Sequence, residues 1–139
     1  MPVRVNVSSQ LSNVATYSFY PPTISSLRPQ NGPTQGGTPV TLIGTNLGVG
    51  YNYSLSLGFS AVAPADVLWF NHTTIIFVLP RGVGHLLPVV LEVATQSTQT
   101  TYDYTAPVIS NVSGCSGDAA PHAIDCGIGA GGIITIEGV

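Results

Sequence analysis

Lysine is absent from this chain, and charge of either sign is scarce. Only Arg4, Arg28 and Arg81 are basic, and charged residues make up 6% of the sequence, far below the ~25% usual in soluble domains. Nucleic-acid affinity rests on neutralising phosphates with Lys and Arg, so three scattered arginines exclude DNA and RNA as partners. Long apolar runs are missing too. The longest, 74–79 and 86–93, are broken by Pro80 and Pro88, well short of the ~18 residues of a membrane span, so no membrane insertion is expected in this segment. No extended apolar core follows Met1-Pro2-Val3-Arg4, which excludes a signal peptide at that point.

Catalytic signatures are equally thin. No Gly-x-Ser-x-Gly elbow occurs, and Gly36-Gly37 leads into a strand pattern where a phosphate loop would lead into a helix. His72, His85 and His122 are scattered, and Asp66, Glu92, Asp103, Asp118, Asp125 and Glu137 are spread along the chain. The reading is of a protein that is not an enzyme, with no catalytic, cofactor or metal set. Cysteine is limited to Cys115 and Cys126, which flank a Gly/Ala/Pro-rich loop and suit a local disulfide. Closing so short a loop contributes about 3 kcal/mol in the chain-entropy picture. The rival is a metal site using His122 and Asp125 as well, but the close cysteine pairing of zinc sites is lacking.

A surface so poor in ions needs another source of hydration. Four asparagine sequons supply one: Asn6-Val7-Ser8, Asn52-Tyr53-Ser54, Asn71-His72-Thr73 and Asn111-Val112-Ser113, none with proline in the middle. Glycans on Asn6, Asn52, Asn71 and Asn111 would provide the missing polar surface. Sequons and a local cystine together predict an extracellular, secreted glycoprotein, with covalent glycans and no other cofactor. Since a glycoprotein enters the secretory route, the sequence is expected to be a mature fragment or a segment of a longer chain.

Strand signals dominate. Val3-Arg4-Val5-Asn6-Val7 alternates apolar and polar residues with the period of a half-buried strand, and 40–43, 53–59, 75–79, 89–93 and 101–104 read likewise, each bounded by Gly, Pro, Asn or Ser. No window of helical length shows the 3.6-residue period without a breaker inside it. Short, regularly spaced strands predict an antiparallel sandwich, with Trp69, Phe70, Phe77 and Tyr104 in its core. Tyr51 and Tyr53 form the one loop aromatic pair.

The chain also repeats itself out of phase. Tyr17-Ser18-Phe19-Tyr20-Pro21-Pro22-Thr23-Ile24-Ser25-Ser26-Leu27 returns as Tyr102-Asp103-Tyr104-Thr105-Ala106-Pro107-Val108-Ile109-Ser110-Asn111-Val112, and Val40-Thr41-Leu42-Ile43-Gly44 as Ile134-Thr135-Ile136-Glu137-Gly138. The spacing between the echoes is longer in the second copy, which carries the Cys115–Cys126 loop as an insertion. Residues 1–21 thus read as the last strands of one unit, 22–106 as a complete unit and 107–139 as the first strands of another. Prolines at each junction hold consecutive units at a limited set of angles.

Pro22-Thr23-Ile24-Ser25-Ser26-Leu27-Arg28-Pro29, then Gly32 to Gly48 with its paired glycines and Gly44-Thr45-Asn46-Leu47-Gly48 turn, and Thr74 to Gly84 downstream, occur in an order that resembles the IPT/TIG domain. The resemblance covers Pro22 to about Ala106. It implies an all-β, immunoglobulin-like β-sandwich with partial flanking units, of the kind found in plexins, other surface receptors, extracellular repeat proteins and some transcription factors. One departure is that the complete unit has no cysteine, whereas plexin-type versions are often disulfide-bonded.

The expected function is structural: units that associate with copies of the same chain, head to tail, through end strands bearing Val3, Val5, Val7, Ile134 and Ile136, to form a fibril or stalk. Unpaired strand edges with an apolar face are a liability unless covered. The alternatives are an adhesion or receptor module that binds protein or glycan, and an accessory domain of a carbohydrate-active enzyme. A carbohydrate-stacking role for Trp69 belongs to the former.

Overall fold

The computed structural model describes residues 1–50, 52–114 and 133–138. It separates into a unit of Met1–Tyr104 and a unit of Thr105–Val139. The first opens with four short strands, β1 (Pro2–Val3), β2 (Asn6–Val7), β3 (Gln10–Leu11) and β4 (Ala15–Thr16), in which β1 pairs antiparallel with β4 and β2 with β3. Ser8 and Ser9 close the hairpin with φ of 49° and 67°, the paired left-handed residues of a type I′ turn, whose twist matches that of the flanking strands.

Beyond Pro22 the chain builds the sandwich. It runs through β5 (Thr23–Arg28), β6 (Asn31–Gly32), β7 (Pro39–Thr45), β8 (Tyr53–Leu57), β9 (Ser60–Ala61), a single 3-10 turn (Pro64–Asp66), β10 (Val67–Phe70), β11 (Thr74–Val78), β12 (Leu87–Val93) and β13 (Gln96–Tyr104). One sheet has the order β10-β11-β7-β5, the other β6-β13-β12-β8-β9, and only the short β6 lies parallel to its neighbour. Alternation does the sorting: Val40 and Leu42 on β7, Leu55 and Leu57 on β8, Ile75 and Phe77 on β11, Val89 and Leu91 on β12 all point inward and are buried. Their even spacing is the two-residue period of a strand with one face on the core.

Trp69 departs from the expectation of a core aromatic. It is 56% exposed because β10 carries a bulge: Val67 sits opposite Phe77 and Phe70 opposite Ile75, whereas Trp69 sits opposite the outward Ile76. The extra residue keeps Val67 and Phe70 directed at the core and turns Leu68 and Trp69 to the outer face. Phe70 packs against the core edge and meets Tyr53 at a centroid distance of 4.6 Å, so Tyr53 is a half-buried strand residue and not an exposed loop aromatic. Tyr51 lies outside the described residues.

Tyr102 and Tyr104 stack edge to face at the far end of the core, with centroids 6.2 Å apart. The Tyr104 hydroxyl donates to the Pro80 carbonyl at 2.6 Å, while the buried Tyr102 hydroxyl has no partner among the described residues. Tyr104→Phe is therefore expected to cost about 1 kcal/mol and Tyr102→Phe to be neutral or slightly stabilising, as denaturant titration would show. Burial raises both phenol pKa values, and the neighbouring Tyr104 raises that of Tyr102 further. A raised folded-state value means the protonated form is favoured by folding. This contribution is complete below the ordinary phenol value of ~10 and is lost as pH climbs through the folded values. Stability should accordingly fall above about pH 10, with part of the phenolate absorbance appearing only as the chain unfolds.

The second unit, where described, is a strand pair: β14 (Ile109–Ser113) antiparallel to β15 (Thr135–Gly138). Cys115 and Cys126, and with them the expected disulfide, lie outside the described residues.

Candidate functional site

The strand pairs at either end of the chain reproduce the pairing register of strand pairs in the sandwich, with one extra residue in the N-terminal hairpin. In β5–β7 the register is Ile24 to Gly44, Ser26 to Ile43, Leu27 to Leu42 and Arg28 to Thr41, with a bulge between Ile24 and Ser26. In β14–β15 it is Ile109 to Gly138, Asn111 to Glu137, Val112 to Ile136 and Ser113 to Thr135, with the bulge between Ile109 and Asn111. The same glycine closes both. A Cβ on Gly44 would strike the Thr23 carbonyl oxygen, and one on Gly138 the Val108 carbonyl oxygen, so each strand pair can approach only where the side chain is absent.

The N-terminal hairpin copies β12–β13 in the same way. Pro2 faces Thr16 as Pro88 faces Thr101, Val3 faces Ala15 as Val89 faces Thr100, Asn6 faces Leu11 as Glu92 faces Ser97, and Val7 faces Gln10 as Val93 faces Gln96. One extra residue in the second strand of the N-terminal hairpin interrupts its ladder between the two paired stretches. This third echo, Met1-Pro2-Val3-Arg4-Val5-Asn6-Val7 against Leu87-Pro88-Val89-Val90-Leu91-Glu92-Val93, escapes sequence reading. The register that reveals it is set by two turns, Ser8-Ser9 and Ala94-Thr95, that lack the glycine or asparagine by which hairpins are usually recognised.

Where their registers match, the copies differ in burial. Leu91 is fully buried, whereas Val5, its counterpart, is 60% exposed; Leu42 is fully buried, whereas Ile136 is 64% exposed. Val3, Val7, Tyr17, Phe19 and Ile134 are exposed as well. The half-buried strand expected over residues 3–7 is therefore exposed on both faces, because among the described residues of its unit no opposing sheet covers the hairpin as one covers the sandwich copy. Sequence reading singles out Val3, Val5, Val7, Ile134 and Ile136. They correspond to Val89, Leu91, Val93, Val40 and Leu42, of which four are buried and Val93 packs against the core.

All four sequon asparagines lie at the surface or partly so. Asn6 is on β2, on the face opposite Val5 and Val7, and is exposed. Asn52 is exposed, at φ 50°, beside the end of the β12–β13 hairpin, where its carbonyl accepts from the Ala94 amide at 2.8 Å. Asn71 closes the β10–β11 turn: its Oδ1 accepts from the Thr73 amide at 2.9 Å, the Thr74 amide at 2.7 Å and the Thr73 hydroxyl at 3.2 Å. These bonds hold the side chain through its oxygen and leave the amide nitrogen, the atom that N-glycosylation uses, out of the turn. Asn111 is half-buried at the β14 bulge opposite Glu137.

The remaining polar features are structural. His85 Nδ1 lies 3.0 Å from Asp103 Oδ1, which also accepts from the Leu86 amide at 2.6 Å, so this exposed pair pins the loop before β12. A shallow cleft of about 320 Å³ where β5 meets β13 is lined by small hydroxyl side chains, among them Ser25, Ser26, Thr100 and Thr101. No group of three or more His, Cys, Asp or Glu among the described residues could hold a metal ion. No helix among them is long and apolar enough to cross a membrane.

Comparison with solved structures returns sandwiches of the same kind. A protein of unknown function from Bacteroides thetaiotaomicron is 20% identical with a TM-score of 0.54, over 73% of this chain and 26% of that one. The plexin A4 extracellular region is 28% identical with a TM-score of 0.55, over 70% of this chain and 9% of that one. SGBP-B, from a complex xyloglucan utilization locus in Bacteroides uniformis, is 17% identical with a TM-score of 0.52, over 90% of this chain and 39% of that one. The chain thus spans well under half of each of these longer proteins. No curated protein matches the sequence. Domains of this architecture are typical of extracellular and surface proteins. Residues 22–106, the span of the sandwich, match the IPT/TIG domain, and the chain belongs to that family.

Proposed function

We propose that this chain is a glycosylated, extracellular structural module whose IPT/TIG units join end to end, copy to copy, into a fibril or surface stalk, with no catalytic role. The observation that carries this reading is the exposure of core-type faces at both ends of the chain: Val3, Val5 and Val7 on the hairpin, and Ile134 and Ile136 on the last strand pair. Apolar strand faces of this kind drive association wherever a matching face is available. With no lysine and 6% charged residues, glycans on Asn6, Asn52, Asn71 and Asn111 supply the hydration that keeps such an assembly from clumping sideways. Asn6 lies on the side of its strand away from Val5 and Val7, so sugar there leaves the apolar face clear.

The test is electron microscopy of the secreted protein with intact mass measured on the same sample. Filaments are expected, together with a mass above the 14.3 kDa of the polypeptide that falls back toward it on removal of N-linked glycans. Each Asn→Gln change at the four sequons should remove one glycan's mass. Dispersed particles at all concentrations, or an unmodified mass, would count against the reading.

A second reading, an adhesion or receptor module, is favoured by the outward Trp69, which lies beside Ile76 on the face that also carries the exposed Ile43. Flat aromatic and aliphatic surface of this kind suits protein or glycan contact. Loss of ligand capture in Trp69→Ala, with assembly unchanged, would move the function to this face.

A further inference from the structure

We infer that the exposed face of the N-terminal hairpin takes as its occupant the β14–β15 face of a second copy of this chain, in the arrangement that β12–β13 and β5–β7 adopt inside the sandwich. The inference rests on the end-to-end reading above and specifies its joint. Three observations select this occupant over any other apolar surface. The hairpin reproduces the β12–β13 register throughout its paired stretches, so Val3, Val5, Tyr17 and Phe19 occupy the places of Val89, Leu91, Tyr102 and Tyr104. In the sandwich those four are buried in one cluster with Leu27, Val40 and Leu42 of β5 and β7. The counterparts of Leu27, Val40 and Leu42 are Val112, Ile134 and Ile136, and the chain carries them in the same register, bulge included.

Each copy therefore bears both halves of a joint whose packing is already present within its own complete unit. The two faces differ from one another, so the contact is head to tail and propagates. With no covalent bond across it, the joint forms reversibly and association is concentration-dependent. The sequon on β2 falls on a strand position adjacent in sequence to the buried-type residues and so faces away from the joint. Glycosylation of Asn6 and joining are compatible.

The experiment uses the full chain and two charged variants, Val5→Asp on the hairpin and Ile136→Asp on β15, followed by analytical ultracentrifugation over a concentration series. Both positions are exposed in the single chain, so the circular dichroism and melting of the sandwich should match the unchanged protein and rule out misfolding. An unpaired charge in the joint should weaken self-association of either variant alone by about a hundredfold. Mixing the two should restore association and stop it at a one-to-one dimer, because the mixture retains one intact hairpin face and one intact β15 face. Variants that still polymerise like the parent would place the joint elsewhere and overturn this inference while leaving end-to-end assembly standing. A variant that still dimerises by itself would point to a like-with-like contact through its unaltered face, and failure to associate even when mixed would mean that the two intact faces do not fit one another; either result overturns it too. A parent chain that stays monomeric at every concentration would remove the assembly reading itself.

Discussion

Phe77→Ala is expected to destabilise the domain by about 3–5 kcal/mol, while Trp69→Ala, the loss of a larger side chain on the adjoining strand, should change it by no more than about 0.5 kcal/mol. Phe77 is fully buried on β11, opposite Val40 on one side and Val67 on the other. Removing the ring leaves a cavity walled by both sheets, which cannot collapse because each is held by ladders on either flank. For a domain whose total stability is about 5–15 kcal/mol, that is a large fraction. With about 4–8 °C of melting temperature per kcal/mol in a domain of this size, thermal melts monitored by circular dichroism should fall by more than about 12 °C for Phe77→Ala. Near-equal melts for the two variants would mean that the β10 bulge does not turn Trp69 outward.

Gly36→Ala and Gly37→Ala should likewise separate, although the two residues are neighbours and both adopt positive φ, 73° and 81°. A Cβ on Gly37 meets nothing within 4 Å, so its replacement costs only the left-handed conformation, about 1 kcal/mol. A Cβ on Gly36 would sit 2.5 Å from the Leu79 carbonyl oxygen and 2.7 Å from the Arg81 amide nitrogen. That backbone cannot yield easily: the Gly37 amide donates to the Leu79 carbonyl and the Leu79 amide to the Thr38 carbonyl, both at 2.8 Å. Over-packing against fixed backbone adds a further ~1–3 kcal/mol. Gly36→Ala should therefore lose about 2–4 kcal/mol in denaturant titrations, at least twice the loss at Gly37. Equal losses would show that the loop after β11 moves aside.

These two contrasts mark the limit of what sequence conveys here. Alternation identified β7, β11 and β12, because one residue in two faces a core and the period is visible without knowing the partner strand. It failed at β10, where the bulge shifts the alternation by one residue and only pairing with β11 reveals it. The glycine pair was legible as a turn, but the crowding at Gly36 comes from residues 79–81, distant in sequence and near only after folding. The prolines, glycines and echoes pointed to the IPT/TIG family from residues alone. The hairpin echo stayed hidden behind turns made of Ser8-Ser9 and Ala94-Thr95, where the positive φ of Ser8, Ser9 and Ala94 is imposed by strand pairing and not by residue type.

By itself the sequence determined fold class, family and the presence of copied segments at both ends, because periodicity, turn residues and repetition are local properties that survive in one dimension. Tertiary structure alone decided which apolar residues are covered. Val5 and Leu91, or Ile136 and Leu42, occupy matching places in matching strand pairs, yet one of each is exposed and the other buried. Burial belongs to a strand and the sheet opposite it, and that opposing sheet is assembled from distant parts of the chain.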